Sequence, residues 1–249
     1  MTHARLTLAL LLFCSAPLFG RSVPYHYLSP DSVSLSSILS GPPAPGSSEN
    51  QSDIQAVLAR QQSRTPAEIA RAQSEEDLAP TAFASVFGSW FTPEKLPLTF
   101  TLLNQATDDA HLIAASAKKL WNRPRPPLQD PNIHPVVTLP PSASYPSFHA
   151  TRGVLWSVIL AQLAPDLKAP ILARGLQIGQ DRVIAGVHFP TDVAAGQKLG
   201  GAIADLLLKN ARFQHDLALA EAEFSSVRPK SASTFSEPGR IFGDTDPGL

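Results

Sequence analysis

"YPSFHATRGVLWSVILAQLAP", residues 145–165, sets a small polar knot in front of an apolar run. Pro146 stiffens the approach and Ser147 is a favoured N-cap, so the stretch predicts a helix from Ser147 to Leu163. His149 then falls in the first turn. Capping needs only the serine, which leaves the histidine to explain. The first turn of a helix offers N–H groups without intrahelical partners and a partial positive charge, and it attracts anions. A protonated histidine is disfavoured there unless an anion sits beside it.

Outward from this helix the chain reads as helices separated by proline. Residues 21–52 are rich in Ser, Pro and Gly and read as an extended arm. Asp53 is the expected cap of a helix carrying Ile54, Val57 and Leu58 on one face, and Thr65 with Glu68 forms a capping box for the next. A short apolar helix is expected over 80–91 and a long one from Leu98 to Asn122, stopped by the prolines of "WNRPRPP". Residues 127–144 form a polar loop. After the helix of the opening stretch, "APDLKAP" is a break, 169–181 is helical, "VIAGVHF" is a turn, and 190–209 and 211–224 are helical again. Strand signals are nearly absent and no internal repeat is visible. The expected fold is all-α, a single-domain helical bundle over 53–224 followed by a disordered tail, 225–249.

The bulk numbers fit one sizeable domain: 249 residues, 43% of them hydrophobic and 16% charged. A formal charge of −1 leaves no basic footprint for nucleic acid. Arg5, the apolar stretch from Leu6 to Phe13 and the small residues after it have the layout of a signal peptide over residues 1–20. The expected location is therefore periplasmic or secreted, with no stable membrane span once that segment is removed; its retention as an anchor stays open. Cys14 is the only cysteine and lies inside this segment. A mature chain would have no disulfide, no zinc–thiolate site and no catalytic thiol. A homo-oligomer is compatible with the sequence.

Three clusters carry chemistry. In the first, Lys118 and Arg125 stand seven apart at the end of a helix, with Arg123 adding a third charge. The second is Ser147 with His149. In the third, Arg182 precedes a Gly-containing turn, then His188, Pro190 and Asp192. A carboxylate one turn after an imidazole can accept its N–H, fix the tautomer and leave the other ring nitrogen bare for attack. Each cluster alone also has a structural reading: cations at a helix C-terminus, a packed histidine, an aspartate favoured by a helix dipole. Together they supply Lys118, Arg125 and Arg182 as cations, two helix N-termini and two histidines with different partners. The shared target of such a set is a tetrahedral oxyanion, most simply phosphate.

The spacing K-x6-R-P at 118–126, P-S-x-H at 146–149 and R-x5-H-x3-D at 182–192 resembles the type 2 phosphatidic acid phosphatase superfamily. Within it, the chain is most similar to secreted bacterial class A non-specific acid phosphatases, over most of residues 25–210. The resemblance implies His188 as nucleophile, Asp192 as its orienting partner and His149 as proton donor. It implies Lys118, Arg125, Arg182, Ser147 and the N–H of Phe148 as the phosphate cradle. It implies small phosphate esters as substrates, and no metal or cofactor. A vanadate-dependent haloperoxidase of the same fold, or a non-catalytic phosphate- or phospholipid-binding protein, are the alternatives. Two residues depart from the family pattern: Phe148 stands where glycine is usual, and Asp181 where serine is usual. Asp181 is expected beside Arg182, either steadying its guanidinium or repelling phosphate.

Overall fold

Helix α7 (Phe148–Leu163) is the axis of the bundle. Leu155, Trp156, Ile159 and Leu160 on it are all buried, so it has no broad polar side to turn to water. It must be surrounded, and it is: α8 (Lys168–Ile184) and α9 (Pro190–Leu207) lie closest, with α5 (Pro97–Trp121) and α10 (Ala211–Val227) beyond them. Each fully buried large apolar side chain here contributes roughly 1.5–3 kcal/mol. The other helices are α1 (Leu35–Ile38), α2 (Ser48–Ser63), α3 (Pro66–Ser74), α4 (Ala84–Phe87) and α6 (Pro126–Gln129). This computed structural model describes residues 25–229. Among them there is no strand, and the fold is all-α. No described helix is long and apolar enough to cross a membrane. The expected signal segment, 1–20, and the tail from residue 230 lie outside the described residues.

Several expectations hold in detail. Ser147 caps α7, its hydroxyl accepting from Ala150 N, and the Thr65–Glu68 capping box is present. Others are corrected. Helix α2 begins at Ser48 with Ser47 as its cap, so Asp53 lies inside the helix and is buried. The helix expected over 80–91 is a 3-10 turn and one α-turn, ended by Gly88 at φ 92°. Helix α8 runs on to Ile184 and α10 to Val227. The arm is tied down from its first described residues. The backbone N–H groups of His26, Tyr27 and Leu28 all donate to the carboxylate of Asp109 on α5, at 2.7, 2.7 and 2.9 Å.

Small residues set how near α7 comes to its neighbours. A Cβ added to Gly153 would lie 2.4 Å from Gly175 O on α8, and one on Gly175 would lie 2.5 Å from Gly153 O. On α9, a Cβ on Gly196 would lie 2.2 Å from Ser147 O, and one on Gly200 2.4 Å from Thr151 O. Only glycine allows backbone to approach backbone this closely.

Candidate active site

Three chain segments deliver the site. Helix α5 ends at Asn122, which takes the left-handed conformation (φ 41°). Lys118 sits in its last turn, and Pro124 and Pro126 carry the chain away with Arg125 between them. The start of α7 supplies Ser147, Phe148 and His149. The end of α8 supplies Arg182; a turn at Gly186 (φ 77°) follows, then His188 and, in the first turn of α9, Asp192. The Ser147 N–H donates to Asp192 O at 2.9 Å, which joins the second segment to the third.

His188 is buried between a carboxylate and a guanidinium. Its Nδ1 lies 3.4 Å from Asp192 Oδ2, and its Nε2 lies 3.1 Å from Arg125 Nη1. A guanidinium only donates, so Nε2 carries the lone pair and Nδ1 the proton. Burial drives the imidazole down to about 3; the Asp192 hydrogen bond opposes this, while Arg125 and Lys118 reinforce it. His188 is therefore neutral, with Nε2 bare, throughout mildly acidic conditions. Burial pushes the Asp192 carboxyl up. His188, Arg123 and the Ser144 hydroxyl outweigh that and hold it below the usual carboxylate range.

His149 faces the opposite problem. Its Nε2 lies 3.0 Å from Glu75 O and 3.3 Å from Glu76 O, so Nε2 is the protonated nitrogen and Nδ1 is left for a ligand. Burial, then Arg182, Arg152 and His188, lower its pKa well below the ordinary histidine value.

Of the cations of the expected cradle, Arg125 and Arg182 are buried and Lys118 is half-buried. Lys118 Nζ donates to Ala143 O, and burial followed by repulsion from Arg125 lowers it to about 7. Arg125 Nε donates to Ser142 O and its Nη1 to Val187 O, at 2.8 and 2.9 Å, and burial brings it to about 10. Arg182 is 1% exposed, and its Nε and Nη1 have no hydrogen-bond partner among the described residues. Leaving such donors buried and unpaired is costly, and an anion would satisfy them.

Phe148 needs no glycine-like backbone: it is the first residue of α7 and its φ is not positive. Its ring lies edge-on to His111 and under the Arg152 guanidinium, 4.9 Å from the ring centre. The expectation for Asp181 is corrected. It is fully buried and accepts from Arg71 Nε and Nη2 at 2.9 and 2.8 Å, rather than facing Arg182. Its hydrogen bonds go to Arg71, while its charge still favours the protonated Arg182 guanidinium without touching it.

Sequence reasoning missed several residues packed around the site. Ser144 donates from Oγ to Asp192 Oδ2. Arg152, one turn beyond Phe148, donates to Leu78 O at 2.9 Å. Arg123, read from the sequence only as a third nearby charge, pairs with Asp192 and Asp53. The i, i+3 spacing of Arg152 from His149 was the one local signal available for Ser144 or Arg152.

The model of the PAP2 superfamily matches residues 96–215, which contain all three segments. A non-specific acid phosphatase of Providencia stuartii is 32% identical over 167 residues, covering 64% of this chain and 67% of that protein. An acid phosphatase of Zymomonas mobilis is 30% identical over 217 residues, covering 83% and 80%. The fold also resembles the crystal structure of a bacterial vanadium-dependent iodoperoxidase, with a TM-score of 0.55 and 18% identity over 68% of this chain and 51% of that one. On the strength of the family match and these relatives, the chain belongs to the PAP2 superfamily, close to the bacterial acid phosphatases, and is a phosphatase that hydrolyses phosphoesters.

Proposed function

We propose that the chain hydrolyses small phosphate monoesters outside the cytoplasm, through a phosphohistidine at His188 and without a metal ion. The orientation of His188 carries this reading: Asp192 takes Nδ1–H and Arg125 faces the Nε2 lone pair. In the first step Nε2 attacks phosphorus, the bond from phosphorus to the ester oxygen breaks, and protonated His149 gives its Nδ1 proton to the departing alkoxide. In the second, neutral His149 takes a proton from water as its oxygen attacks phosphorus. The P–N bond breaks, inorganic phosphate leaves and His188 returns to its neutral tautomer. Lys118, Arg125, Arg182, the Ser147 hydroxyl and the Phe148 N–H hold the phosphoryl oxygens and supply the positive charge a metal otherwise gives.

The test is capture of the intermediate. Enzyme mixed with labelled 4-nitrophenyl phosphate at mildly acidic pH in EDTA, then quenched in alkali, should carry label on His188. The P–N bond survives alkali and breaks in acid, so acid treatment should release the label. Turnover that persists with no labelled histidine, or that stops in EDTA and returns with a metal, would sink the proposal.

A pH prediction follows from His149. It must be protonated to donate, yet burial, Arg182 and Arg152 lower its pKa and favour the neutral ring. A bound phosphate dianion reverses that field and raises its pKa. Since kcat reports the complex and kcat/KM the free enzyme, the basic limb of kcat should lie at higher pH than that of kcat/KM. Coincident limbs would mean that substrate charge does not arm His149.

A further inference from the structure

We infer that Arg123 and Asp53 are positioning residues that fix Asp192, and through it the nucleophile. The inference rests on the proposed role of His188. Arg123 Nη1 donates to Asp192 Oδ1 at 2.7 Å and to Thr191 Oγ1 at 2.8 Å, and its Nη2 donates to Asp53 Oδ2 at 2.8 Å. Asp53 also accepts from Thr191 N at 3.2 Å and from the Thr191 hydroxyl. The guanidinium lies 4.1 Å from the centre of the Phe189 ring. Arg123 and Asp53 are each 4% exposed, and Asp192 is fully buried.

The division of labour on Asp192 carries the argument. Oδ1 belongs to Arg123. Oδ2 takes Ser144 Oγ, the Phe189 N–H at 2.9 Å and His188 Nδ1. A carboxylate held at one oxygen cannot rotate, so the other stays on the imidazole. Asp53 in turn stops Arg123 from swinging away. It reaches the site from α2, a helix that carries none of the motif residues. A buried arginine between two carboxylates is poor value as pure stabilisation, because the charges lose their water and an apolar replacement is often no worse. Its worth here lies in the angle it imposes on the attacking ring. Partners that orient metal-ligating side chains typically change activity by about 10- to 100-fold when removed, and an effect of that order is expected for partners that orient a nucleophile.

Asp53→Asn keeps the shape and removes the charge, so it is the first variant; Arg123→Gln is the second. His188 and Asp192 are also faced by Lys118 from α5, Arg125 from the loop before α6 and His149 from α7, and these stay in place. Asp53→Asn should lower kcat on 4-nitrophenyl phosphate about 10-fold. KM and inhibition by inorganic phosphate should change little, because the cradle is untouched. Signs separate this from scaffolding. Loss of the Asp53 charge makes His188 less basic, so the acid limb of kcat/KM moves to lower pH. Loss of the Arg123 charge makes it more basic, so that limb moves up. A scaffold role predicts no opposed shifts. Should Arg123→Gln fail to fold, the Asp53→Asn shift decides alone. Wild-type kcat in Asp53→Asn, or a fall in kcat with weakened phosphate inhibition and an unmoved limb, would overturn the inference. Absence of labelled His188 in the wild-type enzyme would instead overturn the reading beneath it, and that experiment is read first.

Discussion

His188→Ala should reduce turnover by about 10³-fold or more and leave no alkali-stable label on the protein, since removing a nucleophile costs the whole covalent route. The variant should still fold. Asp192 keeps its contacts with Arg123, Ser144 and the Phe189 N–H, so no buried charge is orphaned. Binding should survive as well: inorganic phosphate and vanadate, measured by thermal shift, should still stabilise it, because Lys118, Arg125 and Arg182 remain. Free imidazole should restore part of the rate by entering the vacated space. His149→Ala makes a useful contrast. General acid catalysis is worth about 10²–10⁴-fold, and it matters most for poor leaving groups. That variant should lose far more activity on an alkyl phosphate than on 4-nitrophenyl phosphate. Full activity in His188→Ala would end the assignment of the nucleophile.

Gly196→Ala should damage stability and catalysis together. The new methyl would lie 2.2 Å from Ser147 O and 2.9 Å from Ala150 Cβ. The obstacle is backbone, not the end of a flexible side chain, so α7 and α9 must part. Overpacking of this kind costs about 1–3 kcal/mol, which for a chain of this size lowers Tm by about 2–4 °C per kcal/mol. The same separation pulls Ser147 and His149, on α7, from His188 and Asp192, at the start of α9. A displacement of about 1 Å in a site of this kind can cost 10²-fold in rate. Gly201→Ala is the control. It lies on the same helix with nothing within 4 Å of the added Cβ, and should be neutral or stabilising by about 1 kcal/mol through helix propensity. Thermal unfolding and 4-nitrophenyl phosphate turnover of the two variants check this; a Gly196→Ala protein like wild type in both would show the helices have slack.

What could be read from the sequence, and what could not, divides along chain distance. The apolar run behind Ser147 announced a helix, and the prolines after Asn122 announced its predecessor's end, because caps and breakers act within a few residues. The histidines, Lys118, Arg125 and Arg182 were found through spacings inside short segments. Asp53 was misread because an aspartate before an apolar stripe has the pattern of a cap; its partner, Arg123, lies 70 residues away. Asp181 was misjudged in the same way. Its neighbour in sequence is Arg182, but it bonds Arg71, 110 residues back. On a helix, successive side chains diverge by about 100°, so adjacency in sequence says little about which charge meets which. Ion pairs between helices are settled only by packing.

The glycine seams along α7 give the molecule a fixed gauge. Where main chain rests on main chain, the distance between helices is a property of the peptide unit. The bulky side chains around Trp156 fill volume without measuring anything. Drift among those larger residues, in evolution or in engineering, can therefore retune melting behaviour while the candidate site keeps its dimensions, as long as four glycines on three helices are left alone.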